Sequence, residues 1–479
     1  MAESTLKQKT ANGLFWGGIN NVLQLLIQVA FGIYMARMLD ADDYGLVGML
    51  AIFNGIAMMI INSGFSVALT NKQDADTKDY NAVFWFTVFV GLFLYIILFF
   101  SAPLIGEFFK RPELTNLSRV LFISFLLAGI GTVPYTVMFK KLMIKQQAII
   151  DITAWIVALS VGIILAVKGF AYWALATQTV IQVSLSAILR FIIAPWKPTF
   201  TLNFWPLKSM LPFSVKLFLT NIFTQINTNV FSVIFGKFYS AEQVGFYNQG
   251  QKWTWMGNQV IAGMIGYVTQ PILVQVNKDK DRQVKVLRKL IRFGAFVSFP
   301  LMLGLAFVGK EFILIAIGEK WLPSVPFLQL FCIWGAVGFL STLYTNLIYA
   351  NGKSNLYMYG TIITGLLQLI VVASMYRFGV FPMVIGYISM YFIGLGIWQY
   401  YIHRLIELRL RDVLRDILPY LVITLGSFFA AWLLTKNIVN LYWLITAKIV
   451  ISGVLYILVL RLSNSVILKE SINFLLKRQ

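Results

Sequence analysis

Two lysines and a set of amide and hydroxyl side chains interrupt otherwise apolar stretches of this chain. Lys216 and Lys252 each fall inside a predicted helix, roughly 12 Å from its end at about 1.5 Å per residue. A lysine ammonium binds phosphate as a point charge, whereas Asn, Gln and Thr side chains hydrogen-bond to hydroxyl groups. These residue types therefore indicate a site for an anion that also carries hydroxyl groups. Snorkelling of the lysines and amide contacts between helices are the structural alternatives.

The candidate residues fall on three predicted helices. On the first, a stripe of amides occupies one quadrant at about 100° per residue, and on the seventh and eighth, amides and hydroxyls flank each lysine. The binding candidates are Lys216, Lys252, Asn21, Gln24, Gln28, Asn221, Thr224, Gln225, Asn248 and Gln259. Four aromatic residues could stack on sugar rings, or could instead pack within the protein or anchor it at the membrane interface. They are Tyr247, Trp253, Trp255 and Tyr267.

Acidic and catalytic residue types are placed differently. The carboxylates, including those of Asp151 and Glu311, are predicted in loops or at helix ends, whereas carriers of cationic drugs or protons need one within the membrane. The one histidine, His403, and the one cysteine, Cys332, provide no metal set, catalytic set or internal disulfide. The pair Gly17-Gly18 lacks a P-loop lysine and indicates close helix packing. We predict no catalytic residue, metal or cofactor.

The composition indicates which solvent these helices meet. Hydrophobic residues make up 59% of the 479 and charged residues 12%, more apolar surface than a soluble domain can bury. We therefore predict an all-α, polytopic membrane protein with about fourteen spanning helices. Lys and Arg concentrate in the loops on the side of both termini, which predicts cytoplasmic termini. The net charge of +20 reflects this topology, so no nucleic-acid partner is expected.

An internal repeat divides the predicted spans into two related halves. The segment Leu39-Asp40-Ala41-Asp42-Asp43-Tyr44-Gly45 returns as Tyr239-Ser240-Ala241-Glu242-Gln243-Val244-Gly245, so that Ala41 and Gly45 recur as Ala241 and Gly245. Such duplication in a membrane is typical of transporters built from two helical bundles. We predict six-helix bundles over 1–193 and 209–403, a hinge-like cytoplasmic linker over 194–208, an interfacial amphipathic segment over 404–416, and two further helices with a tail over 417–479.

Several motifs resemble a known family. They are Trp16, Ala36-Arg37-Met38-Leu39, Asp43-Tyr44-Gly45, Gly64-Phe65, Asn81, Phe84-Trp85, Ala102-Pro103 and Phe139-Lys140-Lys141-Leu142. Together they resemble the Wzx-type polysaccharide flippases, and among them the WzxC-like lipopolysaccharide biosynthesis branch. One departure is Tyr135-Thr136-Val137-Met138, which stands where the family usually has an arginine before the Phe-Lys motif.

The resemblance implies the fold of the multidrug/oligosaccharidyl-lipid/polysaccharide exporters. It also implies a multi-pass protein of the cell inner membrane that moves a polyprenyl-pyrophosphate-linked oligosaccharide to the periplasmic leaflet by alternating access. Membrane lipids, a polysaccharide polymerase and chain-length machinery are the further implied partners. A cation-coupled multidrug exporter of the same fold and a peptidoglycan lipid II flippase are the alternative functions. A membrane polymerase or ligase would need a long catalytic outer loop, and the predicted outer loops are short.

Overall fold

The computed structural model describes residues 6–62, 64–72, 74–277 and 279–475, with side chains described except at residues 6–15, 62, 212, 213, 216–221, 223, 266–268, 270, 271, 354 and 471–475. The chain divides into two compact units, Met1–Gly245 and Phe246–Gln479. The contact boundary thus lies beyond the expected linker over 194–208. The physical reason is that the helix following this linker packs on the second predicted span.

The regular elements among the described residues of the first unit are all helices. They are α1 Leu6–Met38, α2 Ala41–Met49, α3 Ala51–Asn62, α4 Phe65–Asn71, α5 Thr77–Phe109, α6 Glu113–Leu121, α7 Ile123–Lys140, α8 Ile144–Val167, α9 Tyr172–Ile193 and α10 Leu207–Phe238. The unit also includes the start of α11, a helix that spans Ala241–Gln275. Within this unit α1 packs on α8, α8 on α9, α9 on α7, and α7 on α5, while α10 packs on α3 and α4.

The second unit continues α11 and adds the remaining elements. These are α12 Lys280–Ser298, a π-helical turn Phe299–Leu303, α13 Gly304–Phe307, α14 Gly309–Ala316, a 3₁₀ turn Glu319–Ser324, α15 Val325–Ala350, α16 Ser354–Met375, α17 Val380–Ile406, α18 Leu410–Thr435, α19 Leu441–Leu462 and α20 Val466–Leu475. Here α12 packs on α15 and α18, while α16 pairs with α17 and α18 with α19. The π-helical turn contains Pro300, which cannot donate the backbone hydrogen bond of a regular helix.

Helices occur at every position where a span is predicted. In the described part of the chain, twelve segments are long and apolar enough to cross a membrane. The other two positions are occupied by α10 and α11, which are 32 and 35 residues long but carry most of the polar candidates. The all-α membrane fold is confirmed. The helices α10 and α11 are the ones that the repeat makes equivalent to the first two spans.

The structure differs from the sequence expectations at three boundaries. The second span is broken into α2, α3 and α4. The charged stretch from Asp279 to Arg292 is helical rather than a loop between spans, because α12 begins at Lys280, where the Asp279 side chain accepts the Arg282 N–H at 3.0 Å. The segment over 404–416 is not one flat element, because α17 runs to Ile406 and α18 begins at Leu410.

Side-chain caps account for several of the helix starts. At α5, the Asp79 N–H donates to Asp76 Oδ1 at 2.9 Å, and the Asp76 N–H donates to Asp79 Oδ2 at 3.1 Å. The hydrogen bond from the Asp79 backbone lowers the pKa of Asp76. The Lys72 ammonium bridges to the Asp79 carboxylate at 2.7 Å, which ties the end of α4 to this cap. A capping box of this kind satisfies orphan donors that a membrane surface would otherwise leave exposed.

Candidate functional site

The amide stripe on α1 remains accessible in the structure. Asn21 is exposed, and Gln24 and Gln28 are half-buried. The Gln24 side-chain amide donates to Asn20 Oδ1 at 2.9 Å, a hydrogen bond along the helix that links neighbours of the same stripe. The stripe therefore offers hydrogen-bonding groups on a surface that the described residues cover only in part.

The α10 candidates divide into two environments. Thr224 is exposed, whereas the half-buried Gln225 lies directly against Gly55 of α3, where a Cβ would overlap its amide. Gln225 thus also contributes to the contact between α10 and α3, which is the structural alternative considered for such amides. The side chains of Lys216 and Asn221 lie outside the described residues.

On α11 the structure places the candidates on one accessible face. Asn248 and Lys252 are half-buried, and Trp255 and Gln259 are exposed, at spacings of three or four residues that keep them on one side of a helix. The Lys252 Nζ lies 5.5 Å from the centre of the Trp253 ring, close enough for a cation–π interaction. The sequence therefore identified a real polar surface of α11, which we call the α11 stripe: Asn248, Lys252, Trp255 and Gln259.

The aromatic candidates lie in different environments. Trp255 is 53% exposed and lies in the α11 stripe. Trp253 and Tyr247 are buried, and Trp253 packs edge-on against Phe312 with ring centres 5.1 Å apart. Stacking of a sugar ring on these two is wrong, because protein groups already cover their faces. The Tyr267 side chain lies outside the described residues.

Sequence reasoning found the repeated motif but missed what it does. Gly45 in α2 and Gly245 in α11 lie against each other's motif: a Cβ on Gly45 would overlap the Ala241 carbonyl, and a Cβ on Gly245 would overlap the Ala41 carbonyl. Ala41 and Gly45, like Ala241 and Gly245, form a small-xxx-small pair, the pattern that lets helix backbones approach closely in membranes. The duplicated residues therefore form one reciprocal contact, which we call the glycine crossing: Ala41, Gly45, Ala241 and Gly245.

The close approach continues along the second span. Gly55 faces Gln225, and Gly64, with a φ of 71°, faces Ser214, whose Cα would lie 2.8 Å from an added Cβ. Residue numbers increase along α2 to α4 while those of the facing residues on α10 decrease, so α10 runs antiparallel to the second span. Gly55 and Gly64 thus allow α10 to pack closely against this span, and Gly45 does the same for the start of α11. The signal was present in the sequence, but no local pattern told which surface these glycines would meet.

Polar contacts fix the same end of the first unit as the glycine crossing. The Arg111 guanidinium forms a two-pronged ion pair with Asp42, with nitrogen to oxygen distances of 2.8 and 2.6 Å. The hydrogen-bonded Asp42 carboxylate raises the pKa of Arg111. The Lys237 ammonium donates to the Phe108 carbonyl at 2.5 Å and lies 4.2 Å from the centre of the Phe108 ring. The ends of α5 and α10 and the start of α2 are therefore tied together.

The most buried carboxylates of the described helices have cationic partners. Asp416 pairs with Arg288 at 2.7 Å, Glu311 pairs with Lys448 at 2.7 Å, and Asp79 pairs with Lys72. Glu311 and Lys448 are each about 10% exposed, so their charges are largely removed from solvent. Glu311 lies in the first turn of α14, the helix end where it was expected, and its side chain is buried. The Arg288–Asp416 and Lys448–Glu311 pairs join α12 to α18 and α14 to α19.

The departure at Tyr135 also acquires a structural explanation. The Arg190 guanidinium of α9 lies 5.0 Å from the centre of the Tyr135 ring and pairs with Asp151 of α8 at 2.5 Å. A cation from another helix therefore lies beside the position where the family pattern led us to expect an arginine. Spacing along the chain could not predict this, because Arg190 is distant in sequence. Among the described residues, no group of three or more His, Cys, Asp or Glu side chains is arranged to hold a metal ion.

The fold is that of a polytopic α-helical membrane protein. The solved structure of the lipid II flippase MurJ, in an inward closed conformation, superposes with a TM-score of 0.75 at 16% sequence identity, covering 98% of this chain and 100% of that one. At such low identity the match establishes the fold alone.

Sequence comparison then places the chain in a family. Residues 34–326 match the polysaccharide biosynthesis protein family, and the chain belongs to it. Among its relatives, the teichuronic acid biosynthesis protein TuaB of Bacillus subtilis is 26% identical over 361 residues, 74% of each chain. The lipopolysaccharide biosynthesis protein WzxC of Escherichia coli is 21% identical over 355 residues, 73% of this chain and 71% of its own. The resemblance to Wzx-type proteins is thereby confirmed.

Proposed function

We propose that this protein is a flippase that moves a polyprenyl-pyrophosphate-linked oligosaccharide across the membrane for surface polysaccharide biosynthesis. Family membership and the names of the relatives TuaB and WzxC support the pathway. The fold shared with the flippase MurJ supports the type of transport. In this proposal the protein performs no catalysis, and the cargo moves from the cytoplasmic to the periplasmic leaflet of the cell inner membrane.

The observation that carries the cargo assignment is the α11 stripe. Its lysine can pair with a phosphate oxygen, its Asn and Gln can bond sugar hydroxyls, and the exposed face of Trp255 can stack on a sugar ring. A cargo with both a pyrophosphate and a glycan uses all three kinds of group. The α1 stripe adds further amides that the described residues cover only in part.

Alternating access supplies the transport step. The headgroup enters a water-accessible site while the prenyl chain stays in lipid, and a rearrangement of the helices then opens the opposite side. The glycine crossing is a suitable element to close one side, because backbone contact leaves no space for a headgroup. A negatively charged cargo leaving a negative cytoplasm gains about 2.3 kcal/mol per charge per 100 mV, so the membrane potential can drive the step.

The multidrug-exporter alternative has less support from this structure. A cationic cargo needs an accessible carboxylate, and the buried carboxylates of Asp79, Glu311 and Asp416 are each paired with Lys or Arg. The peptidoglycan lipid II flippase alternative remains close in chemistry, since lipid II also joins a prenyl pyrophosphate to a glycan. The two differ only in the glycan that the site accepts.

The decisive experiment is transport by purified protein in vesicles. A fluorescent polyprenyl-pyrophosphate oligosaccharide is placed in one leaflet, and its arrival in the other is measured with and without an imposed potential. The expected result is potential-stimulated flipping, competed by the unlabelled glycolipid. Transport of a cationic dye with no movement of the glycolipid would overturn the proposal, and preference for lipid II would select that alternative.

Two topological statements belong to the same proposal. Both termini lie in the cytoplasm, as the distribution of Lys and Arg indicates. A polysaccharide polymerase and chain-length proteins then receive the flipped glycolipid on the far side. Accessibility of a cysteine placed near each terminus, tested from both membrane sides, checks the orientation.

A further inference from the structure

The segment between α9 and α10 is non-helical for most of its length, yet it is held firmly against α5. The Asn81 side chain accepts the Thr199 N–H at 3.1 Å and donates to the Thr199 hydroxyl at 2.5 Å. The Trp85 indole N–H donates to the Thr199 carbonyl at 2.8 Å. One residue of the linker is thus fixed through its amide, its carbonyl and its hydroxyl. The linker is therefore attached to the first unit rather than free between two bundles.

Downstream of this attachment, the linker exposes large apolar side chains. Phe200 is 91% exposed, Leu202 59%, Phe204 42% and Trp205 74%. Such a concentration in a short irregular segment is unfavourable in water, since about 25 cal/mol is lost for each Å² of apolar surface left exposed. Exposed apolar patches of this kind mark an interaction surface.

Contacts with α5 locate this surface along the membrane axis. The Trp85 and Phe200 ring centres lie 5.3 Å apart, and those of Phe89 and Phe204 lie 6.3 Å apart. Since a helix rises about 1.5 Å per residue, these contacts fall roughly 12 to 18 Å from the start of α5 at Thr77. There begins an exposed apolar stripe that continues along α5 through Phe89, Leu92, Phe93, Ile96, Ile97 and Phe100.

The charged residues of the linker itself are all basic. Residues 194–209 contain Lys197 and Lys208 and no acidic residue, while Trp205 and Lys208 line a surface pocket together with Asp74, Asp76 and Asp79. The Lys208 ammonium lies 4.9 Å from the centre of the Trp205 ring, and Lys197 donates to the Phe191 and Ile192 carbonyls at the end of α9. Aromatic side chains beside lysines are typical of the membrane interface, where rings lie at headgroup depth and ammonium groups meet phosphates.

We propose that residues 200–205 insert into the interfacial layer of the bilayer as a membrane-anchored strap fixed to α5. The occupant of the exposed surface is lipid, because the apolar side chains continue the lipid-facing stripe of α5 and are bracketed by cations. One consequence concerns the hinge predicted over 194–208. The strap is fixed to α5, and the helix that follows it, α10, packs on α3 and α4, so the linker is held at both ends within the first unit and is not a free hinge.

Site-directed spin labelling tests the proposal in the full-length protein. In a Cys332→Ser background, a nitroxide is attached at Phe200→Cys, and the protein is placed in lipid nanodiscs. We expect the label at position 200 to be accessible to oxygen. Its accessibility to a water-soluble nickel chelate should be at least several-fold lower than that of a control label at Asp281→Cys, an exposed position at the start of α12. Equal nickel accessibility at the two positions would overturn the proposal.

A second measurement avoids changing the linker. The unmodified protein is photolabelled either with a headgroup-depth lipid probe or with a water-soluble carbene precursor, and peptides are analysed by mass spectrometry. The peptide containing residues 200–205 is expected to react with the lipid probe. Reaction with the water-soluble probe alone, or with neither probe because protein covers the surface, refutes membrane insertion.

Discussion

Adding one methyl group at the glycine crossing tests whether backbone contact holds it together. In Gly45→Ala the new Cβ overlaps the Ala241 carbonyl, and in Gly245→Ala it overlaps the Ala41 carbonyl. Overpacking costs about 1–3 kcal/mol. Replacing a helical glycine by alanine returns about 0.5–1 kcal/mol of helix propensity. The net loss is therefore between about 0 and 2.5 kcal/mol, and we expect the upper half of that range because the overlapped atoms belong to the backbone; its end lowers the population of the crossing up to about 70-fold.

The double variant gives a sharper prediction than either single one. Both alanines separate the same two helix starts, so the second methyl enters space that the first has already opened. The combined effect should be smaller than the sum, with a coupling of about 0.5 kcal/mol or more. Gly18→Ala in α1 is the matched control, because a Cβ there meets nothing within 4 Å. That control should be as stable as the parent protein or more so.

Two assays follow these variants. Equilibrium unfolding of purified protein in mixed micelles measures stability, and glycolipid flipping in vesicles measures the effect on transport. Gly45→Ala and Gly245→Ala should each lower both, whereas Gly18→Ala lowers neither. If both single alanines behave like Gly18→Ala, the crossing does not depend on close backbone approach, and its suggested role in closing one side is lost.

Three further predictions concern other contacts. Lys252→Ala should reduce flipping at least several-fold at unchanged protein abundance, because the anionic cargo loses its cationic partner. The control Lys436→Ala, in an exposed loop, should transport normally. Equal transport by the two variants would contradict the proposed binding site on α11. Lys448→Met should cost about 3–5 kcal/mol of stability in unfolding assays by leaving Glu311 buried without its cation, and Lys448→Met with Glu311→Leu should recover most of it. Asn81→Leu removes the side-chain hydrogen bonds to Thr199, so it should release the linker in detergent and speed chymotrypsin cleavage at Phe200 several-fold. An unaltered cleavage rate would show that these hydrogen bonds do not hold the linker.

The fold could be predicted from the sequence to a large extent. A 59% hydrophobic chain must place its helices in lipid, and long apolar stretches separated by charges define where they begin and end. The positions where individual helices break or begin were harder to predict. The division of the second span and the early start of α12 depend on caps and tertiary contacts that add little to the hydrophobic pattern.

The candidate site was predictable in part for a related reason. Helical periodicity correctly grouped Lys252 with Gln259 on an accessible face of α11. Periodicity did not separate Trp255 from the buried Trp253, because burial depends on Phe312, a residue of another helix. Gly17-Gly18, the pair expected to pack closely, does not do so against the described residues: among these, a Cβ on Gly18 meets nothing within 4 Å and one on Gly17 meets Ile144 at 3.9 Å.

By itself, the sequence determined the solvent of the helices, the duplication of its halves and the polar faces of α1 and α11. These properties are local or periodic, so they can be read from composition and spacing. Only the tertiary structure decided that Gly45 meets Ala241 while Gly245 meets Ala41, that Arg190 lies over Tyr135, and that the linker lies along α5. Such contacts join residues far apart in the chain, and their free energy depends on packed surfaces that exist only once the helices have assembled.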